Sequence, residues 1–239
     1  MKILGIDTSG LVASAAIVVD DSLVAEFTLN NKKTHSQTLL PTIEQMVTMS
    51  GISLEEIDAI AIAAGPGSFT GLRIGASTAK GMGLALQKPI ISIPTLEGLA
   101  YRAAVSDRLL CPLMDARRNQ VYTGLYRMEN DSLVCVSDQE AVDINEIISK
   151  INDLGQDVLF LGDGVPVHQE TLAEKVTVPY HFAPAHLSRQ SAGAIAALGR
   201  VYYEQGKTED AKDHRPVYLR QSQAERERAQ RLAKEAATE

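Results

Sequence analysis

The sequence has 239 residues, 45% hydrophobic and 22% charged, a balance that excludes disorder and leaves room for one domain or two smaller ones. A formal net charge of −7 argues against a broad cationic surface for gripping phosphate backbones. Two cysteines, Cys111 and Cys135, are too few for a disulfide framework and favour a reducing cytoplasm; the N-terminus lacks the pattern of a secretory signal, and glycines with Arg73, Lys80 and Pro89 break up the most apolar region before it reaches membrane-spanning length.

Residues 2–6, 12–19 and 23–29 are apolar or β-branched runs separated by Asp7-Thr8-Ser9-Gly10 and by Asp20-Asp21, and predict three antiparallel strands. Residues 36–50 place Leu39, Leu40, Ile43, Met46 and Val47 at helical spacing, with Gly51 as the C-terminal cap. Ser53 and Glu56 have the spacing of a capping box, and 58–63 reads as a buried strand entering the turn Gly65-Pro66-Gly67-Ser68. A helix over 69–86, a strand over 90–93 and a helix over 95–105 complete a βββαβαβα series, which implies a mixed sheet with helices on its faces.

The series restarts with strands at 109–114, 121–126 and 133–142, a helix at 144–154 and a strand at 158–161, a degenerate second copy. A late helix over 188–204 follows, and 216–220 closes the ordered part. The expected domains are residues 1–104, 105–220 and a charged tail at 221–239, a frayed helix or disordered, whose only large apolar side chain is Leu232.

Asp7, Thr8 and Ser9 offer a carboxylate and two hydroxyls in a turn between strands, which suits a nucleotide's metal and phosphates and equally suits an ordinary hairpin. Gly65, Gly67 and Ser68 precede a helix, where converging backbone N–H groups and the helix dipole favour an anion. Leu72 and Arg73 follow Gly71, so the lysine of a P-loop is missing; a tight turn with Ser68 capping the helix is the other reading. At most, these six residues form a vestigial phosphate loop, and neither a cofactor nor a catalytic residue is expected. The helix over 69–86 carries only two charges, Arg73 and Lys80, and Gly71, Gly75 and Ala79 recur every four residues as a row that admits another helix. Either that helix is central to its own domain, or the row faces a partner.

Thr34 to Pro41, Ala64 to Gly75 with Lys80-Gly81, Asp115-Ala116-Arg117 with Tyr122, Gly162-Asp163-Gly164, and Pro216 to Arg220 together resemble, in order, the signature blocks of the TsaB family of the bacterial tRNA threonylcarbamoyladenosine machinery. The resemblance spans residues 2–220 and implies two actin-like α/β domains, each a mixed sheet flanked by helices; the Asp7 turn resembles the first phosphate loop of that superfamily. It further implies a non-catalytic scaffold that pairs with the catalytic paralogue TsaD, recruits the ATPase TsaE, forms a homodimer when alone and meets tRNA only through the complex. The implied interface is on the two N-terminal helices, with His35, Leu39, Leu40, Ile43, Gly71, Arg73, Gly75 and Ala79 as candidates.

In the paralogue, the corresponding segment carries a His-x-x-x-His metal pair, and Thr95 and Leu99 stand at those positions here. The five histidines, His35, His168, His181, His186 and His214, show no metal spacing. A metallopeptidase and a small-molecule kinase of the actin-like superfamily are the alternatives.

Overall fold

The computed structural model describes residues 1–31 and 34–220; the tail expected at 221–239 lies outside the described residues. Strands β1 (Lys2–Asp7), β2 (Ala13–Val19) and β3 (Ser22–Leu29) form an antiparallel meander. Helix α1 (His35–Ser50) crosses to β4 (Ala59–Gly65), and α2 (Phe69–Leu86) crosses to β5 (Ile90–Pro94), both strands parallel to β1. Gly51 ends α1 in the left-handed conformation at φ 69°, its N–H bonded to the Val47 carbonyl. The sheet order is β3-β2-β1-β4-β5.

Helix α3 (Thr95–Tyr101) leads into the second copy: β6 (Leu109–Asp115), β7 (Gln120–Glu129), β8 (Ser132–Asp143), α4 (Ile144–Leu154), β9 (Val158–Leu161), α5 (Val165–Lys175) and β10 (Tyr180–Phe182). Its order, β8-β7-β6-β9-β10, repeats the first sheet's plan, with β6 in the place of β1 and β9 in that of β4. This is the actin-like α/β architecture, two mixed sheets flanked by helices.

Each sheet buries both faces, so its central strands read as continuous apolar runs. In the first, Leu4, Ile6, Ile17, Ile60 and Ile62 meet Leu39, Ile43 and Met46 of α1 and Ala79 of α2. Ile3, Ala61, Ile91 and Ile93 face the other way, onto Ile195, Ala196 and Leu198 of helix α6 (Ala192–Glu204). In the second, α4 and Leu172 of α5 cover one face, and Leu96 and Leu99 of α3 cover the other.

This packing corrects the division at 104 and 220. With α1 and α2 both on one face, the opposite face of the first sheet needs another cover, and the chain returns from the second sheet to supply it as α6. Residues 205–217 stay with the first sheet: Glu209 bridges Ile90, Lys80 Nζ donates to the carbonyls of Lys212 and His214, and Val217 N donates to Ala64 O. The helix expected at 188 begins at Ala192, because Ser191 is extended and caps it, its Oγ accepting from Ala194 N at 3.4 Å. The helix expected to reach 105 ends at Tyr101 in tight turns, and α5 and β10 were not foreseen.

Candidate functional site

The β1–β2 turn is enclosed. Asp7, Thr8 and Ser9 are all buried, and Asp7 Oδ1 accepts from Ser9 N at 2.9 Å and Ser9 Oγ at 2.6 Å. Burial raises the Asp7 pKa from 3.8 to about 6, against the opposing pull of the Ser9 bonds and of His35 and Arg102. Gly67 and Ser68 are brought onto this turn: Ser68 N donates to Ser9 O at 2.7 Å, and Thr8 Oγ1 donates to Gly71 O at 2.8 Å. The turn's backbone oxygen thus takes an N–H that an anion at the start of α2 would need. Gly65 goes elsewhere, its N–H donating to Thr95 Oγ1 at 3.1 Å and its Cα against the Val217 carbonyl. Gln190 lies over Gly10, with both amide atoms buried and without a hydrogen-bond partner among the described residues.

The row Gly71, Gly75, Ala79 is not a groove for a partner helix. A Cβ on Gly71 would collide with the Thr8 carbonyl and one on Gly75 with Thr8 Oγ1, while Ala79 is fully buried in the core between α1, α2 and the sheet. The small residues let α2 press its first turns onto the β1–β2 turn. Leu39 and Ile43 are likewise buried in that core, which withdraws them as exposed interface residues.

The opposite side of the same two helices is open. Between them lies a groove of about 460 Å³ whose walls include His35, Leu40, Phe69, Arg73, Ile74 and Ser77, with Leu39 at its floor. Leu40 is 56% exposed; Thr70, Arg73, Ser77, Gly81, Leu84 and Ala85 are exposed along α2. His35 Nε2 is 3.0 Å from Gly10 O, which ties the start of α1 to the β1–β2 turn. Lys80 is occupied by the carbonyls of Lys212 and His214, so Arg73 is the charge that α2 presents. Phe69 stacks on Tyr218 with centroids 4.1 Å apart, the Arg73 guanidinium lies 4.4 Å from the Phe69 centroid, and Arg73 Nε donates to Tyr218 Oη at 3.3 Å.

Thr95 and Leu99 have structural work. Thr95 is buried and accepts the Gly65 N–H, and Leu99 packs with Leu110, Met114 and Leu161 of the second domain. At the end of β6, exposed Asp115 meets Gly162-Asp163-Gly164: Asp115 N donates to Asp163 Oδ1 at 3.4 Å, and Gly164 N donates to Leu113 O at 2.9 Å. Burial pushes the Asp163 carboxyl up. This corner repeats the position of the Asp7 turn in the other sheet. Sequence reasoning missed Gln190, for which no motif speaks, and Tyr218, which the 216–220 block contained without a role.

The model of the TsaD family, tRNA N6-adenosine threonylcarbamoyltransferase, matches residues 22–228. The tRNA threonylcarbamoyladenosine biosynthesis protein TsaB of Bacillus subtilis is 32% identical over 225 residues, covering 94% of this chain and 96% of the relative. Its Escherichia coli counterpart is 31% identical over 228 residues, with the same coverage of 94% and 96%. Among solved structures, YeaZ from Pseudomonas aeruginosa superposes with a TM-score of 0.76 at 25% identity, covering 91% of this chain and 99% of that one.

Proposed function

The chain belongs to the TsaB family of tRNA threonylcarbamoyladenosine biosynthesis proteins, and from that premise we propose that it serves the pathway as a non-catalytic scaffold. It pairs through the α1–α2 groove with the threonylcarbamoyltransferase paralogue, TsaD, and through that pair recruits the ATPase TsaE. Without the paralogue, the same face pairs two copies of this chain. The setting is the cytoplasm; no helix among the described residues is long and apolar enough to cross a membrane.

The observation that carries the reading is the open groove. A helix lying on a sheet normally turns a charged face to water, and α2 turns Thr70, Ser77, Gly81, Leu84 and Ala85 outward with Arg73. Leu40, Met49 and Leu84 are large apolar side chains more than half exposed on these two helices, as expected where a partner covers them. Paralogues that share this fold can lay the corresponding helices against one another with little remodelling of either.

The non-catalytic half of the proposal rests on residues in place. Thr95 and Leu99 occupy the positions where the resemblance puts a histidine pair in the transferase, and both are buried in packing and hydrogen bonding of their own. The Asp7 turn is read as a joint between β1, β2 and α2, vestigial as a phosphate loop, because Ser9 O and Thr8 Oγ1 are bonded to the start of α2. With a net charge of −7, the chain is suited to meeting tRNA through its partner.

Leu40→Glu tests the groove. The variant should keep the wild-type melting curve, since the side chain is 56% exposed, and should lose at least about tenfold in affinity for the transferase subunit by sedimentation or calorimetry, with tRNA modification falling in a reconstituted assay. Unchanged affinity in a normally folded variant would place the interface on another face.

A further inference from the structure

Tyr218 is separated from Arg73 by 145 positions, yet it reaches the rim of the α1–α2 groove and engages both charged and aromatic parts of it. The route is well anchored. Glu209 N donates to Ile90 O and Ile90 N to Glu209 O, at 2.9 and 3.0 Å, which adds the segment to the β5 edge. Buried His214 holds Nδ1 at 2.9 Å from both Ser92 Oγ and Glu209 Oε1. Val217 N donates to Ala64 O at 2.7 Å, beside the close passage of the Val217 carbonyl over Gly65. Residue 218 therefore leaves a fixed point.

At that point three side chains meet. The Tyr218 ring lies on Phe69 at an interplanar angle of 19°, and the Arg73 guanidinium sits over Phe69 while its Nε donates to Tyr218 Oη. An exposed arginine otherwise samples many rotamers; here Nε is taken by the phenol and the guanidinium carbon lies 4.4 Å from the centroid of a ring. The remaining N–H groups of a guanidinium held in this way form a fork suited to a carboxylate. The ionisable side chains lining the groove are Arg73 and His35, with no acidic residue among the described lining residues, so the charge that complements it is negative.

We propose that Tyr218 is a positioning residue of the docking face, holding Arg73 over Phe69 so that its guanidinium receives a carboxylate carried by the docking helix of the transferase paralogue. This rests on the scaffold reading and adds to it the partner's chemistry and a role for the segment that ends at Tyr218. Arg73 makes the contact, and Tyr218 acts only through it.

The test is a double-mutant cycle read as affinity for the transferase subunit from the same genome, at low and at physiological salt. Arg73→Ala should weaken association about fivefold to tenfold and flatten its salt dependence. Tyr218→Ala should weaken it by a similar factor and flatten the salt dependence too, and the double variant should be no worse than Arg73→Ala alone. Tyr218→Phe, which keeps the stack and loses the hydroxyl, should fall between wild type and Tyr218→Ala. Melting curves confirm that the variants compared are folded; if Tyr218→Ala does not fold, Tyr218→Phe in the Arg73→Ala background completes the same cycle. Additive losses, or a salt dependence that Tyr218→Ala leaves unchanged, would overturn the positioning role while the scaffold reading stands. Failure of the wild-type chain to bind the subunit at all would overturn both.

Discussion

Asp7 places a carboxyl where no solvent reaches it, with Ser9 as its hydrogen-bonding neighbour. Its folded pKa of about 6 lies above the ordinary 3.8, so the folded protein holds this proton after the unfolded chain has released it. Stability contributed here is fully present below about pH 4, declines as pH rises toward 6, and is level above that, with a total fall of roughly 3 kcal/mol. Asp7→Asn keeps an oxygen to accept from Ser9 and removes the titration. Its denaturant stability, measured from pH 4 to pH 7.5, should therefore gain on wild type by that amount across the window; parallel curves would mean that the carboxyl is ionised in the folded state throughout. The sequence marked this residue for its chemistry, and the structure supplies what the sequence could not, its burial beside Ser9 with His35 and Arg102 nearby.

Helix α2 separates what periodicity reveals from what it hides. Its extent, its start after Ser68 and its poverty of charge were all legible in residues 69–86. The direction of its small-residue row was not, because a glycine row records close approach without naming what approaches. Here it is Thr8, distant in sequence and adjacent only once β1 and β4 pair. Gly75→Leu should accordingly overpack an interior and cost about 1 to 3 kcal/mol, with a lowered melting temperature. Gly81→Leu, where an added Cβ meets nothing within 4 Å, should leave the melting temperature unchanged or raised, since leucine is the better helix former. A reversed pair of results would turn the helix around. Helix α5 escaped notice for a related reason: His168 and Leu172 are its buried residues, too thin a stripe to announce a helix in a segment that also contains Pro166.

At the scale of the molecule, the repeated βββαβαβ plan was visible as strands preceding helices twice, and the division between the copies was not. Local patterning identifies the apolar face of α6, while which sheet receives it depends on a long-range pairing. The first 104 residues alone should be unable to form a stable domain, since Ile3, Ala61, Ile91 and Ile93 would face water in place of Ile195 and Leu198. Expressed alone, that fragment should aggregate or show no cooperative melt, and a peptide of residues 188–220 supplied in trans should restore one; a cooperative melt of the fragment alone would make α6 dispensable. The return of α6 also sets an order in time. A ribosome adding roughly 5–20 residues per second needs on the order of 5 to 20 s to pass from Pro94 at the end of β5 to the beginning of α6 at Ala192. During that interval the second sheet is synthesised with both of its covers, α3 and α4 with α5, already in the nascent chain, while the first sheet still has one bare apolar face. The half of the molecule that is translated first is completed last, and its unfinished surface is what a ribosome-associated chaperone would meet.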